Sequence, residues 1–289
     1  MAGNRRTDEI SGVDTTGHEW DGIEELDNPM PRWWLWVLYA TILWSIAYWV
    51  VMPAWPLMTS YTKGVLGYSQ RGEVLSDIAE VKASRAGQEA KILSSSLEEI
   101  TKDPALNHFA LAAGKAAFGD NCSGCHGSGA QGAKGYPNLN DDHWLWGGSL
   151  EEILFTINYG IRSTHDETRF NDMTAFLADE ILEKQDISDV AEYVLSLSGT
   201  STDSEAANRG EPIFVDNCVA CHAEGGVGNR EMGAPNLSDK LWLFGGDRKT
   251  VIQSISYGRK GVMPTWEARL DPVTVKSLSI YVHSLGGGE

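Results

Sequence analysis

The chain has 289 residues, with 40 acidic against 23 basic side chains and a formal net charge of −17. That balance argues against nucleic acid or an anionic lipid surface as a partner and favours docking to cationic proteins. The length suggests two small domains plus a further element, and all four cysteines fall in two short motifs, which leaves none for a disulfide.

Residues 1–28 are polar and acidic, with Asp8, Glu9, Asp14, Glu19, Asp21, Glu24, Glu25 and Asp27 and little that could build a core. They read as a flexible tail. Residues 29–56 read as a permanent membrane anchor. The uncharged run from Trp33 to Met52 is long enough to span a bilayer's hydrocarbon core, and tryptophans cluster near both ends. A cleaved signal peptide fits poorly, because Pro53-Ala-Trp-Pro56 follows the run instead of a small-residue cleavage site. Flanking charge leaves the orientation open, since Arg32 stands on one side and Lys63 and Arg71 on the other. Thr41 and Ser45, four apart, form a small, weakly polar face suited to a neighbouring helix.

Residues 57–104 form a helical connector, with Val74, Ile78 and Val81 at helical spacing as an apolar face for the chain's own domain or for a partner. Asp103-Pro104 marks its end. From there the chain repeats, as segments 105–200 and 201–289. Asn121-Cys122-Ser-Gly-Cys125-His126 returns as Asn217-Cys218-Val-Ala-Cys221-His222, and Pro137-Asn-Leu139 as Pro235-Asn-Leu237. Trp144-Leu-Trp-Gly-Gly148 returns as Trp242-Leu-Phe-Gly-Gly246, and Tyr193-Val-Leu-Ser-Leu197 as Tyr281-Val-His-Ser-Leu285.

Each CxxCH reads as an attachment site for a c-type haem. Two thiols three residues apart can add to two vinyl groups of one porphyrin while the next imidazole reaches the iron. Cys122 and Cys125, then Cys218 and Cys221, are therefore the candidate thioether residues of two covalently bound haem c groups, with His126 and His222 as iron ligands. A zinc site would need further Cys or His ligands at matching spacing, and a dithiol redox centre has no need of the histidine.

Each copy then reads as a helix ending at CxxCH, a Gly-rich loop, a helix after Gly-Gly, a methionine-bearing loop and a final helix. Ser149 and a residue near Asp247 start the middle helices, and the final helices run over 187–197 and 272–285. Tyr193 and Tyr281 can pack against Phe118 and Phe214 of the opening helices. Met173 and Met263 lie in corresponding loops as candidate sixth ligands, and His/Met ligation raises the reduction potential and closes the iron to substrates. Met232 and His165 are the competing ligands. His108, His143 and His283 read as ordinary histidines and His18 as part of the tail, while Trp144, Trp242, Arg162 and Arg259 are candidates for the haem propionates, with packing or a solvated charge as the equal alternative for each. A domain of this size has a marginal core, so a buried haem should supply much of its apolar interior.

Both copies resemble class I cytochrome c domains. That resemblance implies that a proline carbonyl holds the second nitrogen of each iron-bound histidine, at Pro137 and Pro235. The whole order is similar to the dihaem subunit of cbb3-type cytochrome c oxidases, on Asp27-Asn-Pro-Met-Pro-Arg-Trp-Trp34 and on Trp-Leu-(Trp/Phe)-Gly-Gly in both copies. Met173-Thr174 departs from the family pattern, which places proline after the methionine as in Met263-Pro264. The resemblance implies a mainly α fold, one N-terminal transmembrane helix followed by two tandem class I cytochrome c domains. It further implies an inner-membrane electron-entry subunit with its N-terminus cytoplasmic and its haem domains periplasmic. Electrons would come from a soluble or membrane cytochrome c or a quinol-oxidising complex and pass to other subunits of a haem-copper oxidase. An independent membrane-bound dihaem carrier and a dihaem peroxidase are the alternatives.

Overall fold

The computed structural model describes residues 5–288, so residues 1–4 of the expected tail and Glu289 of the second repeat lie outside it. The chain divides into two compact units, Met1–Ser84 and Arg85–Glu289.

In the first unit the expected tail contains a β-hairpin. Strands β1 (Thr15–Trp20) and β2 (Ile23–Leu26) pair antiparallel, with Trp20 opposite Ile23 and an irregularity between Thr15 and Glu19. The two-residue turn Asp21-Gly22 has φ of 53° and 84°. Both values are positive, as a type I′ turn requires, and Asp-Gly is a sequence that reaches them cheaply. Arg6 Nε donates to Glu24 Oε2 at 2.8 Å, and Thr15 is buried. The turn chemistry outweighs the charge density of this segment locally, so a hairpin stands where a flexible tail is expected.

Helix α1 (Arg32–Val51) is the expected anchor, 20 residues with none buried, so its whole apolar surface is left for lipid or a partner. Its two aliphatic hydroxyls are satisfied internally: Thr41 Oγ1 donates to Leu38 O and Ser45 Oγ to Thr41 O, both at 2.8 Å. At the C-terminal end the chain turns back, and the Val65 and Leu66 N–H groups donate to the Val50 and Val51 carbonyls. These are carbonyls a helix end leaves orphaned. Helix α2 (Gln70–Ser94) follows, with Val74, Leu75, Ile78 and Val81 exposed.

In the second unit α3 (Leu97–Lys102) starts with a capping box in which the Ser96 side chain accepts from the Glu99 N–H and Glu99 accepts from the Ser96 N–H. Asp103 and Pro104 open a helix rather than only closing the connector. The Asp103 carboxylate accepts from the Ala105 and Leu106 N–H groups at the start of α4 (Pro104–Asn121). Ile92, Leu97 and Ile100 pack with Leu106, Ala110, Leu150 and Ile280, so the end of the connector belongs to a domain core. The remaining helices are α5 (Ser123–His126), α6 (Leu150–Tyr159), α7 (Lys184–Leu197), α8 (Ser204–Asn217), α9 (Val219–His222), α10 (Arg248–Tyr257) and α11 (Pro272–His283).

The consecutive segments 105–200 and 201–289 are not the packed bodies, because their closing helices are exchanged. Helix α7 of the first repeat packs on α8 and α10 of the second, and α11 of the second packs on α4 and α6 of the first. One core gathers Phe118, Ile153 and Ile157 with Val275, Leu278 and Val282; the other gathers Val190, Val194 and Leu195 with Phe214, Val251 and Ile255. Tyr281 therefore meets Phe118 at 5.5 Å between ring centroids and Tyr193 meets Phe214 at 5.1 Å, each pair crossing between repeats. The short link between α7 and α8 supplies a physical reason, since helices joined by a few residues are disposed to lie antiparallel as neighbours.

Two ion pairs hold α7 in its exchanged place. The buried Asp189 carboxylate accepts from Arg209 Nε and Nη2, both at 2.8 Å, and the buried Glu192 accepts from Arg248 Nε at 2.6 Å. The Arg209 hydrogen bonds carry Asp189 below the usual carboxylate range. Burial pushes Glu192 up, but hydrogen bonds from Ser201, Arg248 and Thr202 outweigh it and leave it lowered. Lowered carboxyls contribute stability that is full at neutral pH. It declines as pH falls through about 4 and is lost below the folded values.

Two outcomes follow for the full haem-loaded chain. R209A should lower the midpoint of chemical denaturation at neutral pH by leaving the buried Asp189 carboxylate without its arginine, and the loss should fade in acid as Asp189 protonates. Proteolytic nicking at an engineered site within 199–203 should leave the two fragments associated on native gel filtration; consecutive, unexchanged domains would be held together only by surface contact and should separate.

Candidate haem-binding sites

Each CxxCH begins where a long helix ends. The Cys122 and Cys218 N–H groups donate to the Phe118 and Phe214 carbonyls, the last hydrogen bonds of α4 and α8. One further turn follows in each copy. The His126 N–H donates to Cys122 O and the His222 N–H to Cys218 O, both at 2.9 Å, which makes α5 and α9 the turns that carry the second thiol and the imidazole.

The glycine-rich loops then return a proline carbonyl to each imidazole. His126 Nδ1 lies 3.0 Å from Pro137 O and His222 Nδ1 3.0 Å from Pro235 O. A carbonyl can only accept, so Nδ1 carries the proton and Nε2 presents its lone pair. Burial lowers both histidine pKa values, with the proline carbonyls opposing, so the neutral, ligating form is favoured. Burial and the neighbouring Cys125 and Cys221 push the Cys122 and Cys218 thiols up to about 11. Such thiols stay protonated at neutral pH, unlike the activated thiolate of a dithiol redox centre. No group of three or more His, Cys, Asp or Glu side chains is gathered for a metal ion among the described residues, so neither CxxC finds the further ligands a zinc site needs.

The methionine loops cross between repeats as the closing helices do. The Met263 N–H donates to Ile161 O and the Ile161 N–H to Met263 O, both at 3.0 Å, while the Met173 N–H donates to Arg259 O at 3.2 Å. Further along, the Trp266 N–H donates to Ile157 O at the end of α6, and the Phe176 N–H to Ile255 O at the end of α10. Each segment thus satisfies carbonyls that the opposite repeat's helix leaves open. Met263 packs in the core that holds Cys122, and Met173 in the core that holds Cys218. Loop position alone would set each methionine with the CxxCH of its own copy; each instead stands with the opposite copy's, because the segments that carry them go with the exchanged closing helices.

Both sets open into one cavity of about 470 Å³, lined by the four cysteines, both histidines and both methionines. Two thiols, an imidazole with a free Nε2 and a thioether on mainly apolar walls are the donor set of a c-type haem, so the residues fit the group. Met232 also lines the cavity. His165 does not: it stacks on Tyr159 and its Nε2 lies 3.1 Å from Glu267 Oε2.

Of the propionate candidates, Trp242, Arg162 and Arg259 line the cavity. Trp144 does not line it, and its Nε1–H donates to Gly287 O at 2.5 Å. Arg259 donates from Nε and Nη2 to Ser254 Oγ and lies over Phe244, 4.1 Å from the centroid. Trp146 and Asn171 line the cavity without having been singled out from sequence. The sequence signal for Trp146 was its place in Trp-Leu-Trp-Gly-Gly; Asn171 had none, since its part depends on the crossing of the loops.

A membrane-length helix followed by two interlocked CxxCH domains defines a membrane-anchored c-type cytochrome. Residues 12–59 match the N-terminal domain of cytochrome oxidase-cbb3, FixP; residues 111–198 match cytochrome c; residues 205–282 match cytochrome C oxidase, cbb3-type, subunit III. The chain is 54% identical to the cbb3-type cytochrome c oxidase subunit FixP of Bradyrhizobium diazoefficiens over 100% of both chains. It is 55% identical to the FixP subunit of Azorhizobium caulinodans over 98% of this chain and 96% of that one. With the cbb3-type subunit CcoP of Cereibacter sphaeroides it shares 51% identity over 95% of each. The chain belongs to the FixP/CcoP family of cbb3-type cytochrome c oxidase subunits.

Gly160 and Gly258 show how tightly the loops cross. Their φ values are +72° and +68°, and a Cβ would lie 2.3 Å from Met263 O and 2.2 Å from Met173 O. G160A should therefore displace the Met263 segment and G258A the Met173 segment, each costing at least ~2 kcal/mol from strain alone. Thermal unfolding of the full chain checks the cost.

Proposed function

We propose that this chain is the electron-entry subunit of a cbb3-type oxidase and carries two covalently bound haem c groups. Cys122, Cys125, His126 and Met263 hold one, and Cys218, Cys221, His222 and Met173 hold the other. The observation that carries this reading is the single cavity lined by both donor sets, which makes the occupants of the two sites neighbours. A bound haem supplies a reversible one-electron iron couple. The chain's own residues set its conditions. The Pro137 and Pro235 carbonyls orient the imidazoles, the thioethers favour a high potential, and the apolar walls exclude water. With a nitrogen and a sulfur offered at each site, no position is left for a substrate such as peroxide.

Electrons enter from a reduced cytochrome c or a quinol-oxidising complex and leave to the oxygen-reducing subunits. The net charge of −17 supports a cationic donor, since opposite charge raises encounter rates. The haem domains lie on the periplasmic side of the inner membrane and the N-terminus on the cytoplasmic side, a topology supported by the anchor and by the need to attach haem outside the cytoplasm.

In a chain carrying C218A and C221A, and so only the first haem, M263A should abolish the methionine–iron charge-transfer band while M173A leaves it. A detergent-purified complex captured through this chain should contain further haem and copper subunits and consume oxygen with reduced cytochrome c. A chain recovered alone, redox-active but inert to oxygen, would favour the independent carrier.

A further inference from the structure

One side chain touches both methionine loops. Arg162 Nε donates to Gly261 O at 2.5 Å, and its Nη1 donates to Asn171 O. Gly261 stands two residues before Met263, and Asn171 two residues before Met173. The same fork therefore grips the two loops at the same offset from the two thioethers. Its planar, divergent donors suit two acceptors at once, which a lysine ammonium on a flexible stem does less well.

The surroundings hold this arginine in place. Arg162 has φ of 50°, in the left-handed region that a non-glycine residue rarely adopts, and its N–H donates to Arg169 O at 2.8 Å. Arg169 is itself fixed: its Nε donates to Thr156 Oγ1 at 2.9 Å, and its guanidinium lies over Phe155 and Trp146. Asp172, beside Asn171, pairs with Lys260 at 2.8 Å and lies near enough to balance the Arg162 charge. The Asn171 side chain also donates to Met232 O at 2.6 Å, tying the Met173 loop to the loop after the second CxxCH. The alignment of Gly160-Ile161-Arg162 with Gly258-Arg259-Lys260 makes Lys260 the counterpart of Arg162, and its ion pair with Asp172 is a second link between the loops, while the guanidinium of Arg259, at the position of Ile161, turns to Ser254 and Phe244.

We infer that Arg162 is a positioning residue that couples the two haem sites, holding both methionine loops in one register so that each thioether is kept on its iron by a contact shared with the other. The inference rests on the ligand assignment proposed above. Losing the bridge loosens both loops together, although Arg162 belongs to only one repeat and the backbone hydrogen bonds and the Asp172–Lys260 pair remain.

The test uses the full-length, haem-loaded chain in detergent, with haem content measured by the alkaline pyridine spectrum. Its readouts are the methionine–iron charge-transfer band of the oxidised protein and carbon monoxide binding by the reduced protein, which requires a displaced methionine. M173A and M263A should each remove one haem's share of the band. R162Q should lose intensity from both haems and bind carbon monoxide at both, with haem content unchanged, and R162K should recover no more than one site. If R162Q loses haem, R162K is read alone, and a loss at one site or both supports the bridge. A full band and no carbon monoxide binding in R162Q, or recovery of both sites by R162K, overturns the coupling while leaving the ligands intact. Retention of the full band by M173A and M263A would instead overturn the ligand assignment, and the coupling with it.

Discussion

Each methionine-bearing segment is hydrogen-bonded to the opposite repeat, and the rest of the haem-binding unit depends on that exchange. The N–H groups of Trp266 and Phe176 complete the ends of α6 and α10, and Met263 and Ile161 exchange two hydrogen bonds. A segment that satisfies orphaned carbonyls cannot leave without exposing them, so the crossing is held by backbone chemistry as well as by side-chain packing. Neither repeat can then complete its own core. Phe118 closes on Tyr281 and Phe214 on Tyr193, from the other copy in both cases.

The same exchange explains why two small sites share one cavity. A domain of roughly 85 residues buries a marginal core by itself, and a prosthetic group in its interior offsets that deficit. Here the two interiors are joined, with the donor sets facing a common space. Electrostatics differ between the two closing helices. Helix α7 is fixed by Asp189 and Glu192 against arginines of α8 and α10, whereas α11 sends Lys276 Nζ to the Ile92, Leu93 and Ser95 carbonyls at the end of α2. An ammonium on the carbonyl end of a helix is favoured by its dipole.

The membrane-anchored part obeys a different solvent. Helix α1 buries none of its side chains and satisfies the aliphatic hydroxyls of Thr41 and Ser45 within its own backbone, which suits an apolar surrounding. The exposed apolar stripe of α2, Val74, Leu75, Ile78 and Val81, is the kind of surface an oxidase subunit has available for its neighbours. The hairpin in the acidic N-terminal segment was readable in principle, because Trp20-Asp21-Gly22-Ile23 is a two-residue turn signal; its weight was lost among the surrounding charges.

The sequence by itself determined the local chemistry: the CxxCH turns, the caps at Ser149 and Asp247, and the length of the anchor. Those features are set within a few residues of one another, so pattern and spacing specify them. Which copy closes on which was decided only in three dimensions. Tyr193-Val-Leu-Ser-Leu197 and Tyr281-Val-His-Ser-Leu285 present nearly the same apolar face, so either could cover either opening helix, and no periodicity distinguishes the two. The short link before α8, the ion pairs Asp189–Arg209 and Glu192–Arg248 and the crossing at Gly160 and Gly258 break that symmetry. The ion pairs and the two crossings join residues of different elements, and their fit can be judged only once the helices are packed.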